Sequence, residues 1–170
     1  MPNLPTRAAL LAAFGPAMLR RLGYFLLMGA WMGGFTFYAL IVIPTAGLVL
    51  GGEREVGFIT QKVTFWLNLI GLACLGFFAW DMLCDWSSLT RPLRRWLATS
   101  WIVMSAMFPG LFMVHRLMDR LLESPGFKIH QISHFTDLHT VYLGFATVQW
   151  TAAVLHIGLS LAAWRQLDSR

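Results

Sequence analysis

Four apolar stretches, each about as long as a bilayer core is thick, dominate this 170-residue chain. Crossing about 30 Å of hydrocarbon takes about 20 helical residues, and such stretches fall at about 22–45, 64–84, 96–115 and 138–164. Within lipid every backbone N–H and C=O must find a partner inside the chain, which leaves helices for segments of this length. The intervening segments are short, so the expected fold is all-α: one four-helix transmembrane bundle over residues 1–170, with antiparallel neighbours. Composition agrees, since 57% hydrophobic and 12% charged residues at a mean hydropathy of +0.62 are too apolar for a soluble domain of this size.

Ahead of the first span, Ala8 to Leu19 reads as a short N-terminal interfacial helix. A secretory signal fits poorly, because Arg20 and Arg21 stand where small cleavage-site residues belong. Gly15-Pro16 then breaks the chain, and Pro16 suits the first turn of a membrane helix.

The net charge of +5 is a matter of topology. Arg7, Arg20, Arg21, Arg91, Arg94, Arg95, Arg165 and Arg170 fall on the side that holds both chain ends and the second loop; Arg54, Lys62, Arg116, Arg120 and Lys128 fall on the other. By the positive-inside rule both termini are expected in the cytoplasm, with the chain in a bacterial-type inner membrane or its equivalent. Basic residues so distributed form no run, which argues against nucleic acid as a partner. The lipid bilayer is the expected surrounding, and a larger membrane complex or a second copy are the candidate protein partners. Cys74 and Cys84 lie on one helix, about 15 Å apart along its axis, too far to bridge each other.

Within the spans the pattern of small and polar residues is informative. Gly29, Gly33 and Gly34 give the first helix a surface that admits close approach of another; it is expected to end near Pro44, with Gly51-Gly52 as the turn and Glu53 to Lys62 as a polar loop. Thr60, Thr64, Asn68 and Gly71 form one polar face of the second helix. Asp81 is the one acid expected inside the hydrocarbon boundary, with Trp80, Asp85 and Trp86 at the interface. Ser105, Phe108, Phe112 and His115 share a stripe of the third helix, which Pro109-Gly110 is expected to kink. Met104, Met107, Met113 and Met118 share no single face, so they read as packing and not as a copper site.

The last helix carries the strongest signal. Tyr142, Ala146, Gln149, Ala153, His156, Ser160 and Ala163 recur at helical spacing and must face protein, because an amide and an imidazole at membrane depth are costly unless paired. Asp81 lies at the depth of His156, so contact between them is open, either as a proton relay or as an interhelical bond. At the other end His115 closes the third helix and His139 opens the fourth, which makes them the candidate metal ligands, or the axial pair of a single haem. Asp137 is a candidate N-cap of that helix. If the helix extends back through the loop, His130, His134 and Asp137 share a face while His139 points away. The candidate ligand-binding residues are therefore His139, Tyr142, Gln149, His156, Asn68 and Asp81.

The run Gly29-Ala30-Trp31-x-Gly33 with Phe37 and Pro44, then Gly57-Phe58-Ile59-x-x-Lys62, and later Phe135-x-x-Leu138-His139, resembles the small four-helix membrane proteins related to transmembrane protein 205, a family of unknown function. The resemblance implies fold and membrane location, and implies no catalytic residue. The Trp31-x-Gly33 turn also resembles copper-resistance membrane domains, although no multi-ligand copper site accompanies it.

The chain has no phosphate loop, nucleophile–base set or paired catalytic carboxylates, so no enzyme is expected. The leading expectation is a small membrane protein whose bundle interior binds or passes a small ligand, proton or metal. The alternatives are a non-catalytic structural or accessory subunit and a single-haem membrane cytochrome using His115 and His139. Were His156 functional, His156→Ala would change function more than stability.

Overall fold

The computed structural model describes residues 15–123 and 129–169, without the side chains of 53, 54, 123 and 129–132. Four long helices account for nearly all of them: α1, Pro16–Leu50; α2, Glu53–Cys84; α3, Arg91–Glu123; and α4, Ile129–Asp168. Each is long and apolar enough to cross a membrane, and the chain is an integral membrane protein. The expected interfacial helix falls on residues outside those described, except that 16–19 form the first turn of α1.

Every helix outruns its apolar stretch. The segment from Glu53 to Lys62, expected as a loop, is the start of α2. Thr60 accepts a hydrogen bond from the Tyr38 hydroxyl at 2.9 Å, and a Cβ at Gly57 would lie 3.0 Å from Leu122 of α3. Hydropathy marks where lipid ends, whereas helix continues wherever tertiary packing supports it. For the same reason α4 begins at Ile129, ten residues before His139, so Asp137 is no cap; it and His134 are exposed along the helix.

Helix α1 likewise runs past Pro44, with a wide π-type turn at Gly29–Gly33 and another at Tyr38–Val42. Proline lacks an N–H and crowds the carbonyl four residues back. The second π turn, in which the Ile43 N–H reaches the Tyr38 carbonyl, loosens the backbone directly ahead of Pro44. Gly51, at φ 65°, ends the helix in the left-handed conformation that glycine adopts without a Cβ penalty. Helix α3 continues through Pro109.

The most extensive helix contact is α3 on α4, and α2 packs against both α3 and α1. Close approach occurs where glycine meets an aromatic ring. A Cβ at Gly110 would lie 2.9 Å from the Phe145 ring, and one at Gly71 would overlap the Trp31 indole. The glycines singled out on α1 do less: only Gly34 meets another helix, 3.3 Å from Leu67, while Gly29 and Gly33 face open space. The methionines are scattered, with Met104 and Met118 buried and Met113 exposed.

Three apolar clusters fill the bundle, the smallest holding Leu89, Leu97 and Ala163. Of the larger two, one gathers Tyr24, Phe78, Cys74 and Met104; the other gathers Leu111, Val114, Met118 and Tyr142. The Tyr24 cluster lies toward the end where α1 starts and α4 finishes, here called the arginine end.

Candidate functional site

All seven residues of the α4 stripe are buried, from Tyr142 to Ala163. Their polar members divide into two groups that are built differently.

Toward the arginine end, His156 is 1% exposed. Its Nδ1 lies 2.8 Å from the Ser100 hydroxyl of α3, which is itself 3.0 Å from the Leu97 carbonyl. Ser100 gives its proton to that carbonyl when Nδ1 carries the ring hydrogen, and to Nδ1 when it does not, so the contact survives in either tautomer. One turn along α4, Ser160 donates to the Tyr24 hydroxyl at 3.2 Å. Tyr24 is packed between Phe78, at a centroid distance of 4.5 Å, and Trp164, at 5.2 Å. These groups close the junction of α1, α3 and α4.

Asp81 does not bond to His156. The two line one small cavity with Ser160 and Trp164, and Asp81, 5% exposed, is paired with Arg20 of α1, Nε to Oδ1 at 2.7 Å. Arg20 also pairs with Asp85 through a second nitrogen. Beside it, Arg21 grips Asp168 of α4 with two hydrogen bonds of 2.8 and 2.7 Å and lies over the Trp164 ring. The two arginines thus tie α1 to α2 and to α4. Sequence reasoning assigned them to topology alone; the signal available was an arginine pair at the depth of Asp81.

Midway along α4 the arrangement is looser. Gln149 donates one amide N–H to the Met104 carbonyl of α3 at 3.2 Å, and Asn68 donates to the Tyr142 hydroxyl at 3.2 Å. Both amides and the phenol line a cleft between α1 and α4, with Trp31 on one wall and Trp150, 45% exposed, at the rim. Its cavity volume is about 20 Å³, enough for about one water molecule. The side-chain carbonyl of Gln149 has no hydrogen-bond donor among the described residues.

Toward the far end, His115 is buried with its Nε2 3.5 Å from Asp119 and its ring beside that of Tyr142 at 6.5 Å. His139 is half-buried and stacks on Phe135 at 6.4 Å. The residues proposed as a ligand pair therefore each have other company, and the described residues contain no group of three or more His, Cys, Asp or Glu poised to hold a metal. The side chain of His130 lies outside the described residues.

No family model, curated protein or solved structure matches the chain.

Proposed function

We propose that this protein is a small membrane-embedded binding protein whose site is the α1–α4 cleft. The observation that carries this is the Gln149 carbonyl: a strong acceptor, left without a donor at membrane depth, on the floor of a cleft that opens to the bundle surface at Trp150. An unmet acceptor in hydrocarbon costs free energy, and a hydroxyl or N–H arriving there recovers it. The fitting ligand is small and places one such donor in the water-sized space, with its apolar body lying across the mouth beside Trp150. It enters from the lipid phase, because the mouth opens between two membrane helices. Tyr142 and Asn68 orient the donor, and the groups around His156 hold the helices in register. Kinship with the transmembrane protein 205-like family and cytoplasmic termini belong to the same proposal.

The probe is 4-fluorophenol, a lipid-soluble hydroxyl donor, followed by fluorine NMR with the full chain in bicelles. Saturable broadening that disappears in Gln149→Leu and persists in Ser160→Ala is expected. Equal broadening in wild type and Gln149→Leu would sink the proposal.

A second function, as an accessory subunit of a larger complex or a homo-oligomer, is favoured by the buried bonds His156–Ser100 and Ser160–Tyr24, which fix helix register with no ligand. Co-purification of a partner in fixed stoichiometry, with no saturable probe binding, would select it. Haem or metal at His115 and His139 is the remaining alternative, for which a Soret band or stoichiometric metal in the purified protein is the test.

A further inference from the structure

The arginines at the arginine end are of two kinds. Arg20 and Arg21 are matched by Asp81, Asp85 and Asp168. Arg91, Arg94 and Arg95, on the first turns of α3, have no carboxylate partner among the described residues. Their spacing of i, i+3 and i+4 puts all three on one helix face. Arg94 lies over the Trp86 ring at 5.7 Å, which leaves its charge in place and holds the guanidinium against an interfacial indole. Two open grooves flank the face, one of about 530 Å³ lined by Arg91, Arg95, Trp96 and Thr99, the other of about 390 Å³ lined by Trp86 and all three arginines. Arg91 and Arg95 border both.

We propose that this face binds the phosphate of an anionic phospholipid. Charge decides the class of ligand: three guanidiniums with no acid among them call for an anion, and the planar fork of arginine fits phosphate oxygens two at a time. Depth decides the source. Trp96, 64% exposed, and Trp86 mark the level at which indoles sit beside headgroups, and the apolar run of α3 begins directly below them. A lipid phosphate is held at this level by its own chains, so binding it costs less freedom than capturing a soluble ion. One turn beyond Thr99, Ile102 is 57% exposed, and this side of α3 takes the first part of an acyl chain.

The experiment uses the full chain reconstituted in phosphatidylcholine vesicles, with spin-labelled phosphatidylglycerol and spin-labelled phosphatidylcholine as probes. Phosphatidylglycerol is expected to be enriched at the protein about three- to five-fold over phosphatidylcholine, the scale expected for one effective cationic contact. The preference is lost in Arg91→Gln/Arg95→Gln, partly kept in Arg91→Lys/Arg95→Lys, and unchanged in Arg165→Gln. An unaltered circular dichroism spectrum and melting midpoint show that the glutamine variant remains folded. Absence of enrichment in the wild type, or enrichment that survives Arg91→Gln/Arg95→Gln, overturns the proposal. So does abolition of the enrichment by millimolar inorganic phosphate at constant ionic strength, which assigns the face to a soluble anion.

Discussion

The two halves of the α4 stripe carry similar residues and end up doing different things. At His156 and Ser160 the Nδ1 nitrogen and the hydroxyl each meet a side chain of another helix, and both residues are sealed by Tyr24, Phe78 and Trp164. At Gln149 and Tyr142 the bonds are fewer than the groups can make, and the surplus faces a cleft. Both halves lie on the same buried face of α4, at different levels along its axis. What separates a register-fixing contact from a candidate site is whether the polar groups are sealed by rings of neighbouring helices or face a cleft.

The largest way to break the comparison is at the ion pairs that keep the closed half closed. Arg20→Met leaves Asp81 buried without its cation, and removing one partner of a buried pair costs about 3–5 kcal/mol. Unfolding in mixed micelles should show a loss of that order. Arg20→Met/Asp81→Asn should recover at least half, since the stranded charge is gone; equal losses in the single and double variants would mean that the pair matters through packing alone.

His156→Ala should cost about 2–4 kcal/mol, from the cavity left by the ring and the loss of the Ser100 contact. Probe binding in the cleft should not change in molecules that remain folded. If binding falls while stability holds, the two halves form one site and the division at Gln149 is wrong.

Gly71→Ala acts between the halves. Its methyl meets the Trp31 indole, which is also a wall of the cleft, so overpacking of about 1–3 kcal/mol is expected together with a changed cleft. Gly29→Ala, with open space around it, should be stable to within about 0.5 kcal/mol. Comparing the two melting midpoints tests whether glycine is needed for close approach at one position and not at the other.

These contrasts also show what could be read from the residues alone. The four spans were legible because lipid imposes both length and apolarity, and the buried stripe was legible because helical period groups residues by face. The polar face of α2 was legible for the same reason: Thr64 and Asn68 are buried, Thr60 bonds to Tyr38 and Gly71 receives Trp31. Pairings were harder. Asp81 and His156 share a depth, but depth says nothing about rotation around the bundle, and an arginine on α1 lay closer in direction than the imidazole on α4. The starts of α2 and α4 were misplaced because hydropathy senses solvent and not backbone conformation. His139, expected to open its helix, lies ten residues inside it, because polar residues carry α4 back to Ile129.

The finest distinction comes from Gln149→Leu, a change that keeps volume and removes both amide functions. It takes away one hydrogen bond to the Met104 carbonyl and, at the same stroke, the unmet side-chain carbonyl. A lost bond costs about 0.5–1.5 kcal/mol, and relieving an unsatisfied acceptor in an apolar setting returns a comparable amount, so the net change in stability should lie within about 1 kcal/mol of zero. A residue whose role is to lock helix register cannot behave this way: with all of its partners engaged, its removal must destabilise. Near-neutral unfolding of Gln149→Leu beside a clear loss in His156→Ala would separate the open half of the stripe from the closed half. A loss of more than about 2 kcal/mol in Gln149→Leu would place Gln149 with His156 as a structural contact.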